Sequence, residues 1–341
     1  MTPGRINYLN SNIEKVGITV KEHKMAVVGL GATGTVLAAA LLSKYPETVL
    51  VGRKIALVKE LAKKGITVSG SISFQTPVIN FCSRIGELLD FKPDIIFLAT
   101  KTFHLEQVAE DLKPVFQPGN KIVATQNGLG VEDLIADTFG SDAALRMNLN
   151  YGVALKGTGQ AEVAFFNRPN HIGCIAEENR ETGMQIAQTL SACGLDTEFV
   201  DDVKLFVWKK MIMKCTMASI CAVTNKTIKE ALEYEPTREI ADACFKEALA
   251  LAKAMGYDLG EGYLEQAMGY LEKVGVHRDS MCYDIEKKTP TEIDFLGGKI
   301  VEYARQKGIA TPFYVAMTNM VKAIENNYSA PKNNKFESDK S

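Results

Sequence analysis

From residue 25 onward the chain alternates short, wholly apolar runs with longer mixed ones. Residues 25–28 (Met-Ala-Val-Val) are apolar at every position, as a strand covered on both faces must be. Residues 48–51, 94–99 and 121–125 carry the same apolar run behind a polar first residue. Between them, 31–43 reads as a small-residue helix, 55–64 as a helix stopped by Gly65, and 103–113 as a third helix. Continuous apolar strands alternating with helices predict a parallel, doubly wound sheet. From about 147 to 174 the pattern becomes strand-rich, with Gly157 and Gly159 in a turn between two strands. A helix over 178–192 and a last strand over 196–200 follow.

Beyond Asp201 the period changes. Helices are expected over 202–221, 237–255, 260–274, 280–287, 295–307 and 312–324. Asp201 or Asp202 can cap the first, and Thr311-Pro312 is a helix start. The expected fold class is α/β: an N-terminal Rossmann-like doubly wound sheet followed by an all-helical C-terminal domain. The expected units are an N-terminal extension over 1–23, the sheet domain over 24–200, a helical substrate and dimerisation domain over 201–326, and a polar, disordered tail over 327–341. Two domains also suit the length, since single cores stop growing near roughly 250–300 residues.

Composition narrows the classes. The net charge is −2, and with no basic patch a nucleic-acid partner has no electrostatic support. No apolar run approaches the ~20 residues of a membrane span. The first 24 residues lack the pattern of a signal peptide. The seven cysteines are odd in number, show no CxxC pair and sit mostly among apolar neighbours. They read as buried reduced thiols of a cytoplasmic protein. The four scattered histidines argue against a His-based metal site, so no metal is expected. The apolar faces of the helical half are consistent with a homodimer.

Candidate chemistry begins at Gly29-Leu30-Gly31-Ala32-Thr33-Gly34. This GxGxxG lies between an apolar strand and a helix, the context that turns a weak motif into a dinucleotide fingerprint. The first glycine permits the tight turn, the second admits a pyrophosphate, and the third lets helix and strand pack. The alternative is a glycine-rich turn without a ligand. NAD enzymes usually carry an acid about 20 residues on, for the ribose hydroxyls. Here Arg53 and Lys54 stand at the end of the second strand. A guanidinium suits a 2′-phosphate and cannot accept from a hydroxyl, which predicts NADP(H). A solvated loop arginine is the competing reading.

Further segments then become recognisable: Ala99-Thr100-Lys101, Gln126-Asn127-Gly128-Leu129-Gly130, Val207-Trp208-Lys209-Lys210-Met211, 280–285 and 291–298. In this order and spacing, over roughly residues 24–325, the chain resembles the ketopantoate reductase (2-dehydropantoate 2-reductase) family. The resemblance implies NADPH-dependent reduction of a 2-oxo acid to a 2-hydroxy acid, on the route to pantothenate. It implies a phosphate loop at Gly29, Gly31 and Gly34, and Lys101 and Asn127 beside the nicotinamide and substrate. It implies Lys210 as the catalytic lysine, Ser280 as a substrate contact, and Glu292 as the carboxylate near the lysine and cofactor.

The residues themselves agree on Lys210. It lies in a helix that is apolar on nearly every side, where a partly desolvated lysine loses pKa and becomes a better proton donor. A snorkelling structural lysine is the plainer alternative, and for Glu292 it is an ordinary first-turn acid. The chain departs from the family pattern at Lys214, Ala218 and His277, where asparagines are common. Lys214, one turn from Lys210, is expected to lower the pKa of its neighbour and to attract substrate negative charge, with Ala218 leaving room. Two other readings compete with a ketopantoate reductase. One is a paralogue acting on another small carbonyl acid, the other a non-catalytic nucleotide-binding module.

Overall fold

The computed structural model describes residues 23–53, 55–273 and 278–329. Residues 1–22 of the expected 1–23 extension, Lys54, residues 274–277 with His277, and the tail from 330 lie outside them. The chain opens with β1 (Met25–Val28), buried at every position, and α1 (Ala32–Leu42), buried from Gly34 to Leu42. Then come β2 (Val49–Val51) and α2 (Ile55–Lys64), stopped by Gly65 at φ 69°. Three short strands follow: β3 (Ile66–Gly70), β4 (Phe74–Thr76) and β5 (Asn80–Cys82). The one-turn α3 (Leu88–Phe91), β6 (Ile95–Leu98), α4 (Leu105–Leu112) and β7 (Lys121–Ala124) come next. The half closes with α5 (Val131–Phe139), β8 (Ala144–Asn148), β9 (Tyr151–Gly157), β10 (Gln160–Phe166), β11 (Asn170–Cys174), α6 (Arg180–Ala192) and β12 (Thr197–Phe199).

Eight strands form one sheet in the order β12-β11-β8-β7-β6-β1-β2-β5. From β5 to β8 all pairings are parallel; β11 turns antiparallel to β8 and carries β12 with it. One core fills the α1 side of this sheet and a second fills the α4 and α5 side. A smaller sheet, β4-β3-β10-β9, packs beside α1.

The helical half is built on α7 (Val203–Thr224), where the Asp202 side chain accepts from the Leu205 N–H at 3.0 Å as its N-cap. Then follow α8 (Ile228–Glu233), opened by a Thr227/Glu230 capping box, α9 (Glu235–Ala254), α10 (Tyr263–Lys273), α11 (Ser280–Glu286), α12 (Gly297–Gln306) and α13 (Pro312–Ser329). Helix α7 is surrounded by α9, α11 and α13 and also touches β8 and β11. That environment explains its lack of a polar face. α13 runs through Ser329, so residues 327–329 are helical rather than part of a loose tail. The expected α/β fold with an all-helical C-terminal half is what the chain forms.

Candidate active site

The carboxyl ends of the parallel strands open onto a cleft whose far wall is α7 and α11. In open α/β sheets this crevice is where ligands bind. Its volume of about 1860 Å³ exceeds the roughly 300–1,000 Å³ of an ordinary small-molecule pocket, leaving room for a dinucleotide and a small acid together. Leu30, Gly31, Ala32, Thr33, Arg53, Lys101, Asn127, Lys210, Lys214, Ser280 and Glu292 all border it, so residues far apart in sequence meet at one place.

At the first turn Gly29 has φ 99°, and a Cβ there would stand 2.8 Å from the Thr100 nitrogen. A Cβ on Gly34 would lie 1.9 Å from the Gly29 carbonyl oxygen, so this glycine is demanded by packing rather than by a ligand. Gly31 differs: a Cβ there would meet nothing within 4 Å, because it faces the open cleft at the start of α1. Backbone N–H groups at that helix start fit a pyrophosphate. Nearby, the buried amide of Gln126 has no hydrogen-bond partner within the protein for either its nitrogen or its oxygen. A donor–acceptor pair left unmet beside the cleft fits a polar ligand group. Both observations fit a nicotinamide dinucleotide.

Arg53 is exposed at the end of β2, and its guanidinium lies 2.7 Å from His104 Nε2. Burial, then the Arg53 charge, holds the His104 pKa below its ordinary value, so the ring accepts from Arg53.

Across the cleft two clusters bridge the sheet and helical halves. In the first, Lys101 Nζ meets Asp284 Oδ2 at 2.8 Å and Glu292 Oε2 at 3.3 Å. The other Glu292 oxygen accepts from the Thr102 N–H at 3.0 Å and its hydroxyl at 2.9 Å. Burial raises the Asp284 pKa against the pull of Lys101. Glu292 is therefore engaged with Lys101 and Thr102, which differs from the expected partnership with Lys210. In the second cluster, Lys210 Nζ donates to Asn127 Oδ1 at 2.9 Å and to the Leu149 carbonyl at 2.5 Å. Burial first, then the charges of Arg146 and Lys214, pushes the Lys210 pKa down to about 7.

Lys214 shares the Lys210 face of α7 but is not an uncompensated cation. Its Nζ meets Asp279 Oδ2 at 2.5 Å and Ser280 Oγ at 3.0 Å. Ala218 is fully buried in the helical core, so the room expected from it does not open onto the cleft. Sequence reasoning assigned no role to Thr102, Arg146, Asp279 or Asp284. Arg146 had a signal, a lone charge inside the apolar stretch 143–149.

A glycine-loop cleft with a desolvated lysine facing it defines a nicotinamide-dependent oxidoreductase. Two family models cover most of the chain: ketopantoate reductase PanE/ApbA over residues 25–177 and its C-terminal part over 202–325. The chain belongs to the ketopantoate reductase family, oxidoreductases that act on CH–OH groups with NADP(H). A 2-dehydropantoate 2-reductase of Streptococcus pyogenes serotype M3 is 26% identical over 303 residues, 88% of this chain and 97% of that one. One of Pyrococcus horikoshii is 26% identical, covering 89% and 97%. Among solved structures, a PanE/ApbA family ketopantoate reductase of Ralstonia eutropha superposes with a TM-score of 0.80 at 20% identity, covering 89% and 99%. A D-mandelate dehydrogenase solved with NADH and anilino(oxo)acetate does so at 0.80 and 22%, with the same coverage. No helix among the described residues is long and apolar enough to cross a membrane.

Proposed function

We propose that the chain reduces a 2-oxo acid with NADPH, 2-dehydropantoate being the first candidate, in pantothenate biosynthesis. Held by the glycine loop and Arg53, NADPH would supply the hydride for the carbonyl carbon; Lys210 supplies the proton for the forming alkoxide. Reduced substrate, NADP⁺ and a neutral Lys210 result, and solvent reprotonates the lysine. The observation that carries this reading is the state of Lys210. Two of its three N–H bonds are fixed by Asn127 and Leu149, and its pKa of about 7 lets the third proton leave near neutrality. Asn127 aims the ammonium, Ser280 and Lys214 border the carboxylate end, and Arg53 reads the 2′-phosphate. Gln126 offers its unmet donor and acceptor to the nicotinamide carboxamide, and Glu292 with Lys101 ties the halves together beside the nicotinamide. The seven free cysteines fit a cytoplasmic home.

One observation favours a second substrate reading. Beyond Lys210 the cleft is walled by Met213, Met217, Ile228 and Leu271, while Asp279 takes the charge of Lys214. That wall suits a 2-oxo acid with an apolar side chain and weakens the case for a dicarboxylic one. The test is NADPH oxidation with 2-dehydropantoate, branched or aryl 2-oxo acids and dicarboxylic 2-oxo acids. The family substrate leading the panel supports the first reading, an apolar acid the second, and no turnover of any 2-oxo acid refutes both.

A further inference from the structure

Arg146 lies in β8 and its side chain is almost wholly buried, at 2% exposure, with Glu132 at 5%. Burying a guanidinium is costly unless its donors are met, so what meets them is informative. Nε lies 3.3 Å from Glu132 Oε2 in the first turn of α5, an ion pair by distance in which neither atom has hydrogen-bond geometry, so charge rather than a hydrogen bond offsets burial there. One terminal nitrogen donates to the Gly128 carbonyl at 3.1 Å and the other to the Ala124 carbonyl at 3.4 Å. Those two carbonyls bracket the turn that carries Gln126 and Asn127. Gly128, at φ 137°, is fixed on its other side, where its N–H meets Met211 Sδ at 3.2 Å. The second acceptor of Lys210, the Leu149 carbonyl, follows the same strand three residues after Arg146. One acceptor of the lysine is thus on the turn Arg146 braces, the other just past the end of the strand that carries Arg146.

We infer that Arg146 is a positioning residue for proton transfer: its buried fork sets the turn that aims Asn127 at Lys210. The inference rests on the reading of Lys210 as the proton donor. The cations around Lys210 are Arg146, countered by Glu132, and Lys214 on its own helix, countered by Asp279. Across the cleft Asp284 and Glu292 are engaged with Lys101. The Arg146 charge also repels the Lys210 ammonium, without a hydrogen bond between them, and so adds to the lowering of that lysine's pKa by burial.

The test uses the full-length chain and two readouts. One is titration of the Lys210 ε-carbon by NMR in ¹³C-lysine-labelled protein without cofactor, the signal being assigned by its loss in Lys210→Ala. The other is kcat and KM for the 2-oxo acid identified by the panel. The double variant Arg146→Met, Glu132→Leu removes the pair without orphaning a charge. It is expected to move the Lys210 titration to higher pH and to lower kcat about 10- to 100-fold, with the KM for NADPH within about threefold. Arg146→Lys keeps the charge and loses the fork. It is expected to leave the titration in place and still lower kcat about tenfold or more. A double variant whose Lys210 titrates as in wild type overturns the electrostatic part. An Arg146→Lys variant with wild-type kcat overturns the positioning part, and decides it even if the double variant does not fold. If Lys210→Ala itself turns over normally, the proton-donor reading fails, while the titration still reports on Arg146.

Discussion

Replacing Lys210 by methionine is expected to abolish reduction and at the same time stabilise the protein below neutral pH. In the folded chain the lysine's pKa is about 7, against an ordinary 10.5. At 1.36 kcal/mol per unit, holding it protonated in the fold costs roughly 5 kcal/mol. Between those two values the unfolded chain binds more protons, so the folded state gains stability as pH rises through that window. The penalty is fully present below about pH 7 and gone above about 10.5. Methionine has similar length and no charge, so it removes the penalty. It also leaves the Leu149 carbonyl and Asn127 amide without their donor, at about 1–2 kcal/mol each. The net expectation is a gain of roughly 1–3 kcal/mol at pH 6. Denaturant unfolding of both proteins at pH 6, 7, 8 and 9 measures it. Only the difference between them matters, since other groups titrate in the same range. The Met variant's advantage should shrink steadily above pH 7 and reverse near pH 9. A difference that stays flat from pH 6 to 9 would refute the claim that Lys210 is held in a desolvated, proton-releasing state.

The other predictions concern recognition. Arg53→Ala should weaken NADPH binding about 10- to 150-fold and leave NADH nearly unchanged, as calorimetry can show; equal losses would mean Arg53 does not read the phosphate. Gln126→Met should weaken NADP⁺ about tenfold yet spare 2′,5′-ADP, which lacks the carboxamide; parallel losses would place Gln126 elsewhere. Asp279→Asn keeps a cap for α11 but leaves Lys214 uncompensated, and should raise kcat/KM for dicarboxylic over monocarboxylic 2-oxo acids by about tenfold. An unchanged ratio would remove Lys214 from substrate choice.

The sequence displays the sheet–helix alternation wherever strands are buried on both faces, because a fully apolar run has few other readings. β1, β2, β6 and β7 were legible for that reason. The segment from Ile66 to Cys82 was not. Its three strands are short and several of their positions face solvent, so their pattern belongs to pairings made elsewhere in the chain. α5 went unread because it begins directly after Gly130, where the Gln126–Gly130 segment drew attention as a motif and not as the start of a helix. The site shows the same division. Lys210, Asn127 and the glycine loop could be picked out as residue types in context. That Glu292 belongs to Lys101 and Lys214 to Asp279 depends on which side chains cross a cleft between two halves, and spacing along the chain carries no record of it.

The small sheet has a consequence for how this protein is made. β3 pairs in parallel with β10, Thr67 beside Gln160 and Gly70 beside Val163. A ribosome adding roughly 5–20 residues per second therefore leaves β3 without this partner for about 5–20 seconds after it emerges. During that interval Ile66 and Val68, buried in the finished fold, have only the β4 hairpin and the already made α1 to shelter them. Nascent chains are most open to chaperone capture, or to pairing with a neighbour on the same message, in that window. Slowing translation between residues 70 and 160 should lengthen it and lower soluble yield, although the finished protein would be identical.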